Sequence, residues 1–197
     1  MIASLRGRLI AKHPPGLVIE VGGVGYECEA PMSTFYHLPA VGAEVTLRTH
    51  LVVREDAHLL FAFATDDERR LFRGLLKVSG IGPKIALAIL SGTSVQDFLS
   101  VIEAEDADQL VRVPGIGRKT AERLIIEMRD RVKDFGGAHL GLARAADEPR
   151  SAKQEASSAL LALGYKPPEI SRLLGAVGED GMSTEELIRH ALKVAAT

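Results

Sequence analysis

The residues with the clearest chemical potential form a glycine-rich turn that occurs twice. Residues 80–84 read Gly-Ile-Gly-Pro-Lys, and residues 115–119, 35 positions later, read Gly-Ile-Gly-Arg-Lys. Glycine lets the backbone turn sharply, adopt positive φ and approach a ligand closely. A helix is predicted to begin after each second glycine, with its free N–H groups and positive dipole end facing outward. Two such anion sites, each beside a lysine, are typical of a protein that holds backbone phosphates without reading bases.

A plain tight turn between two helices is the alternative interpretation of one Gly-Ile-Gly sequence. The side chain of the central residue, Ile81 or Ile116, is expected to pack between the two flanking helices. Because both copies are followed by a lysine at the same offset, Lys84 or Lys119, the repeat favours the phosphate site. The sequence therefore predicts a tandem pair of helix-hairpin-helix motifs.

The overall charge argues against a generally basic nucleic-acid binder, because it is -2. The positive charge is instead concentrated around the motifs. Residues 77–84 and 112–123 together hold six basic residues and one acid, Glu122. We therefore expect a local interface.

Catalytic motifs are not evident. Residues 117–120 resemble the end of a phosphate-binding Walker loop, but Arg118 stands where that loop needs glycine, so no ATP hydrolysis is expected. The six histidines form no metal-ligand spacing, and the one cysteine, Cys28, excludes an internal disulfide and multi-cysteine zinc sites. We expect no catalytic residues, no metal and no cofactor.

The first 64 residues predict an all-β domain. Gly22 and Gly23 signal a hairpin between the second and third strands. Five short strands fit a small barrel, of which the OB-fold is the commonest type. The predicted strands cover residues 2–11, 16–21, 24–30, 44–53 and 57–64.

The pattern changes to helix at Asp66, where three successive acids favour a helix N-terminus. Helical signals continue to about Lys133, with a capping box predicted at Thr93 and Gln96. The sequence thus predicts an α+β multidomain protein.

The C-terminal third is predicted to be a linker followed by a small helical bundle. Residues 135–150 are rich in glycine and alanine and read as flexible. Three short helices are expected in 151–197, broken at 164–168 and at 178–181, and the last begins with a capping box at Ser183 and Glu186. The predicted domains are 1–64, 65–134 and 151–197. No run of about 18 apolar residues exists, so a soluble cytoplasmic protein without membrane contact is expected.

Taken together, these residues resemble the RuvA family, the Holliday-junction-binding subunits of the bacterial RuvABC branch-migration complex. The resemblance covers nearly the whole chain and is carried by the sequences of residues 21–27, 52–61, 80–92, 114–124 and 162–167. It implies a homotetramer, or a face-to-face pair of tetramers, that holds a four-way junction open and planar in recombination, repair and the SOS response. The hairpin residues implied to bind DNA are Gly80, Ile81, Gly82, Lys84, Gly115, Ile116, Gly117, Arg118, Lys119 and Arg123.

The charged turn at Glu55 and Asp56 matches the acidic pin of that family. Without the resemblance, a solvated turn between two strands would be expected. With it, the two carboxylates are implied to repel phosphates at the junction centre, which discourages continuous duplex. Arg54 is implied to lie beside the crossover.

The C-terminal bundle is similar to the family's three-helix domain, of ubiquitin-associated (UBA-like) type, which recruits the RuvB motor ATPase. Candidate partner contacts are Leu163, Tyr165, Leu187 and Leu192, although such residues at helical spacing also suit a core. RuvC resolvase is implied as a further member of the complex.

Two rival functions stay open at this point. A nuclease subunit targeted by the hairpins would need an acidic cluster to hold metal, and only the pair Glu55 and Asp56 stands out. A general duplex-binding scaffold would show no preference for branched DNA.

Overall fold

The computed structural model describes residues 1–137, 151–175 and 182–195. The chain divides into two compact units, Met1–Lys133 and Asp134–Thr197, which are described separately. No helix in the described part of the chain has by itself the length and apolar composition of a membrane span. The helices Pro83–Gly92 and Val95–Glu103 reach that composition only together, as a pair bent by 99°.

The N-terminal part of the first unit is a closed five-stranded barrel, as predicted. The strands are β1 (Ser4–His13), β2 (Gly16–Val21), β3 (Val24–Glu29), β4 (Glu44–Val53) and β5 (His58–Phe63). They are hydrogen-bonded in the order β1, β2, β3, β5 and β4, and antiparallel pairing of β4 with β1 closes the barrel. Gly22 and Gly23 form the tight β2–β3 turn with φ of 59° and 85°, which confirms the predicted hairpin.

Alternating apolar residues of these strands fill the barrel, as expected for a sheet with one buried face. Cys28 is one of them, and burial raises the pKa of its thiol to about 12. It is therefore a packing residue at neutral pH. Other members of this core are Leu5, Leu9, Leu17, Ile19, Leu47, Leu60 and Ala62.

A short helix not predicted from the sequence, α1 (Met32–His37), connects β3 to β4. It joins the barrel to the helices that follow. The Met32 backbone N–H donates to the Ser91 hydroxyl at 3.0 Å, and the hydroxyls of Ser33 and Thr34 donate to the Glu68 carboxylate. The buried Glu68 also accepts the backbone N–H groups of residues 64 and 65, so its charge is well satisfied.

Helix α2 (Asp66–Leu75) begins where the acids predicted it. Thr65 is its N-cap, and Thr65 with Glu68 forms a capping box. Phe72 of this helix packs on Phe61 and Phe63 of β5, each ring centroid 4.9 Å away. Helix α2 therefore packs directly on the last strand of the barrel.

The helical part of the first unit continues with α3 (Pro83–Gly92), α4 (Val95–Glu103), α5 (Ala107–Val111) and α6 (Arg118–Gly137). The capping box predicted at Thr93 and Gln96 is wrong by one residue. Ser94 is the N-cap of α4, and its hydroxyl accepts the Asp97 backbone N–H at 3.1 Å. Thr93 is instead the C-cap of α3. Because Thr93 and Ser94 are both good caps, their order alone could not choose between them.

The second unit contains α7 (Ala152–Ala162), α8 (Pro167–Gly175) and α9 (Thr184–Ala195). Gly164, with φ of 97°, supplies the predicted break before α8. Ser183 and Glu186 exchange hydrogen bonds at the start of α9, which confirms that capping box. The second predicted break, at 178–181, lies outside the described residues, and so does the predicted linker from residue 138 onward. Its predicted start at residue 135 is wrong, because residues 135–137 belong to the helix Arg118–Gly137. The core of this bundle consists of Ala156, Leu160, Ile170, Leu173, Leu174, Leu187 and Ala191.

Candidate nucleic-acid interface

The two glycine-rich turns have the same backbone conformation. Gly80 has φ of 89° and Gly115 has φ of 90°. In the first turn the Ile81 backbone N–H donates to the Val78 carbonyl at 3.1 Å, and in the second the Ile116 N–H donates to Val113 at 3.0 Å. The repeat in sequence is therefore a repeat in structure.

The isoleucine of each turn points into the core. Ile81 and Ile116 are each only 5% exposed. From that position neither side chain reaches a ligand at the surface. Each isoleucine holds its turn against the flanking helices. The backbone of the turn, and not the isoleucine side chain, therefore faces a ligand at the surface.

The second glycine of each turn is not required by the fold. Gly82 has φ of -94°, which any residue adopts, and a Cβ added at Gly82 or Gly117 would meet nothing within 4 Å. The carbonyl of Gly82 already accepts the Ala86 N–H at 3.0 Å, and Gly117 accepts Ala121 at 2.9 Å, so each starts its helix. Glycine here leaves the free N–H groups at the start of α6, and those that follow Pro83 in α3, open to a close-approaching anion; Pro83 itself has no N–H to donate.

Four basic side chains around the turns are exposed. Lys77, Lys84, Arg112 and Lys119 form no ion pair or side-chain hydrogen bond within the described part of the chain. Lys84 and Lys119 follow the second glycines at the same offset. Their charges are available to phosphates at both helix N-termini.

Arg118 differs from those four because it is already paired. Its Nε lies 2.9 Å from Glu122 Oε1, and its guanidinium also contacts the Asp108 carboxylate. These bonds to Glu122 and Asp108 raise the pKa of Arg118 above its ordinary value. Its charge is shared between two acids at the start of α6.

Two contacts join the hairpins to each other. The Arg123 guanidinium lies 3.5 Å from the Ser79 carbonyl and 3.4 Å from its hydroxyl, directly before the first turn. In the other direction, a Cβ added at Gly115 would lie 3.4 Å from Ile85 of α3. Each hairpin thus touches the turn of the other.

Sequence reasoning missed three of these residues. Asp108, Ser79 and Ile85 make their contacts across 10, 44 and about 30 positions of sequence. Only the Arg118–Glu122 pair, at i and i+4 on one helix, had a local signal that could have revealed it.

The acidic residues Glu55 and Asp56 lie at the tip of the β4–β5 hairpin. The Arg54 backbone N–H donates to the Ala57 carbonyl at 2.8 Å and closes this turn. All three charged side chains of the turn are exposed, and among the described residues neither carboxylate has an ion-pair or hydrogen-bond partner. The structure therefore leaves both negative charges uncompensated by neighbours.

The four candidate partner contacts of the C-terminal bundle are placed differently. Leu163 is 61% exposed, whereas Leu187 is 6% exposed and belongs to the core. Tyr165 and Leu192 are partly buried against that core. Two further apolar residues that the sequence reasoning did not select, Leu161 and Val194, are 49% and 47% exposed.

Within the residues that the structure describes, no group of three or more histidine, cysteine, aspartate or glutamate side chains could hold a metal ion. The groups described above are backbone N–H groups and lysine charges at two helix N-termini, which suit the binding of an anion.

Family models match three successive parts of the chain. They are the RuvA N terminal domain at residues 1–62, a SAM-like helix-hairpin-helix tandem at 72–130 and the RuvA C-terminal domain at 151–196. The chain is 56% identical over 200 residues to a protein of Methylococcus capsulatus named Holliday junction branch migration complex subunit RuvA, with 99% of both chains covered. The chain belongs to the RuvA family. Two RuvA proteins of the same name, from Pseudomonas aeruginosa and Vibrio cholerae, are 52% and 51% identical to it, with 98% of each chain covered.

The RuvA N-terminal match coincides with the barrel, and the tandem match spans both glycine-rich turns. The predicted fold class is thereby confirmed: a barrel, a tandem helix-hairpin-helix region and a helical C-terminal region.

Proposed function

We propose that this chain binds four-way (Holliday) DNA junctions as the DNA-binding subunit of a branch-migration complex. The observation that carries the proposal is the pair of turns with matching φ at the first glycine, each ending in an open helix N-terminus beside a lysine that has no partner among the described residues. Each turn offers backbone N–H groups and one positive charge, which suits a phosphate rather than a base edge. The proposed DNA contacts are Gly80, Gly82, Lys84, Gly115, Gly117, Lys119 and Arg123, with Ile81 and Ile116 holding the turns and Arg118 beside the second turn in its ion pairs with Asp108 and Glu122.

The acidic turn supplies preference for a junction over continuous duplex. Glu55 and Asp56 project from a barrel hairpin without a compensating partner among the described residues. Two unpaired carboxylates raise the energy of any phosphate placed against them. At the open centre of a junction they face a gap, and Arg54 lies beside the strand that crosses over.

The chain is proposed to be non-catalytic, with ATP hydrolysis in a RuvB motor partner and strand cleavage in RuvC. A homotetramer, alone or paired with a second one, would present four copies of the hairpins to the four arms. The C-terminal bundle is the proposed motor contact, with the exposed Leu163 as its best-placed residue. Cytoplasmic location belongs to the same proposal.

A salt-titrated binding comparison tests the proposal directly. A four-way junction and a linear duplex of matched length and sequence are titrated with the full chain from about 50 to 200 mM salt. We expect preference for the junction that persists as salt rises. Equal binding to both would leave a general duplex-binding scaffold, and cleavage of the labelled junction with magnesium would make the chain a nuclease.

The acidic turn has its own test. Glu55→Gln with Asp56→Asn is expected to raise duplex binding relative to junction binding. The control is Glu27→Gln with Glu44→Gln, which removes two exposed charges from the barrel wall. If both variants keep the same selectivity as the parent chain, the turn has no role in discrimination.

The motor contact is tested by truncation. Removing residues 151–197 is expected to spare junction binding and abolish stimulation of the motor, because the two units have separate cores. Leu163→Asp should reproduce the loss of stimulation, whereas Leu161→Asp is the matched change at another exposed leucine of the same unit. Loss of junction binding on truncation would show that the units do not act independently.

A further inference from the structure

The second hairpin carries a charge cluster that the first lacks. Arg118 contacts both Asp108 of α5 and Glu122 of α6, and all three side chains are more than half exposed. Because two carboxylates share one guanidinium, the cluster has a net charge of -1. It lies next to Gly117, at the helix N-terminus assigned above to a phosphate.

The same positions in the first hairpin are occupied by residues of other types. Counting back 35 residues, Arg118 corresponds to Pro83, Glu122 to Leu87 and Asp108 to Arg73. No acid takes part in the first turn, where Lys84 is unpaired among the described residues. The shared backbone therefore has different electrostatics in its two copies.

The bonding pattern of Arg118 restricts what it offers to DNA. Its Nε and one terminal nitrogen are occupied by Glu122 and Asp108. A phosphate that approaches Gly117 meets a guanidinium already neutralised, with two carboxylates beside it. The ionic bonds are exposed, however, so they exchange with solvent and can be displaced.

We propose that Asp108 and Glu122 hold the Arg118 charge away from DNA and make the second hairpin the weaker of the two phosphate grips. The inference rests on the proposed DNA-binding function and adds a residue pair that tunes it. One firm and one weak contact in each subunit would let DNA shift past the second hairpin while the first stays engaged.

The test compares Asp108→Asn with a control that removes an equally exposed ion pair elsewhere. Glu105→Gln breaks the Glu105–Arg129 pair, whose side chains are 58% and 56% exposed. Arg129 lies eleven residues beyond Arg118 on the same helix, about 16 Å away along its axis and beyond the screening length of roughly 8–10 Å. Both variants lose one negative charge, and only the first removes a carboxylate from Arg118, whose remaining partner is Glu122.

Asp108→Asn, and more so Asp108→Asn with Glu122→Gln, should tighten binding to a labelled duplex or junction about two- to ten-fold. The two-fold value is the effect of removing one negative charge at roughly 8 Å from a phosphate in water. The ten-fold value is the effect of gaining one phosphate contact. A freed Arg118 should also steepen the slope of log affinity against log salt by about 0.9. Adding Arg118→Gln to the double variant should return that slope to the parent value.

Each outcome has a separate meaning. Tightening that survives Arg118→Gln would reduce the role of the acids to simple repulsion and overturn the proposed masking of Arg118. Tightening equal to that of Glu105→Gln would also overturn it, while leaving DNA binding intact. A parent chain that binds no DNA would instead refute the proposed function itself. Thermal melts confirm that each variant is folded.

Discussion

The two hairpins of the helical region share one backbone and differ in charge. Their first glycines have φ of 89° and 90°, and their isoleucines are equally buried. The residue after the second glycine is Pro83 in one copy and the ion-paired Arg118 in the other. Packing constrains the turn and its buried isoleucine. The exposed position after the second glycine can instead change its charge without altering the backbone.

The copies are also not independent of each other. Arg123 of the second hairpin reaches Ser79 of the first, and Ile85 of the first lies against Gly115 of the second. A change in one turn is therefore expected to affect the other, and energies of paired substitutions across this contact should not add.

The largest expected effect comes from closing both helix N-termini to DNA. Gly82→Ala with Gly117→Ala adds two methyl groups in open space, so stability should fall by less than about 1 kcal/mol. DNA affinity should fall about ten-fold for each site, because each loses a charge-assisted backbone contact worth roughly 1.5 kcal/mol or more. Fluorescence titration of a labelled junction measures the loss.

The control for that pair is Gly175→Ala, which also meets open space but lies in the C-terminal unit. Its DNA affinity should match the parent chain. If Gly117→Ala alone has no effect while Gly82→Ala does, only the first hairpin binds phosphate through its backbone, and the symmetry of the two turns is structural rather than functional.

The next largest effect concerns folding rather than binding. Gly80→Ala and Gly115→Ala place a side chain where φ is positive, which costs about 1–2 kcal/mol of unfolding free energy. The two costs should be similar, because a Cβ at Gly115 would lie 3.4 Å from Ile85, an ordinary van der Waals distance, and that of Gly80 meets nothing within 4 Å. Urea unfolding monitored by circular dichroism measures both.

Gly92→Ala makes the same chemical change near the end of α3, where φ is not positive and space is open. It should be neutral or slightly stabilising. A clearly larger cost for Gly115→Ala than for Gly80→Ala would mean that Ile85 cannot yield to the added methyl group, and the contact between the hairpins would then be rigid.

Much of this architecture could be predicted from the sequence because its signals are local. Alternating apolar residues and Gly22-Gly23 specify a barrel hairpin, and a spacing of 35 residues reveals the repeated turn. Helix α1 was missed because its six residues are too few to show a helical period. Its stability comes from hydrogen bonds to Glu68 and Ser91, which lie far away in the sequence.

The sequence singled out candidate residues for the site but did not predict their electrostatic surroundings. Lys84, Lys119 and Arg118 appeared equivalent as basic residues after a glycine turn. Folding separates them, because Asp108 is brought to Arg118 by the α5–α6 turn and not by any periodicity. Likewise Leu187 and Leu163 appeared equivalent as apolar candidates, and only packing shows that the first fills the core while the second is exposed.

The smallest expected effect sharpens the comparison at the lysines. Lys84→Ala and Lys119→Ala remove side chains at matching positions, and each should weaken DNA binding roughly three- to ten-fold and flatten the salt dependence by about 0.9. Lys166→Ala, an exposed lysine of the other unit, should change neither quantity. Equal slopes with unequal affinities would show two real phosphate contacts in different electrostatic surroundings, as the acids beside Arg118 lead us to expect. An unchanged slope for Lys119→Ala would remove that lysine from the interface and leave the second hairpin to act through its backbone alone.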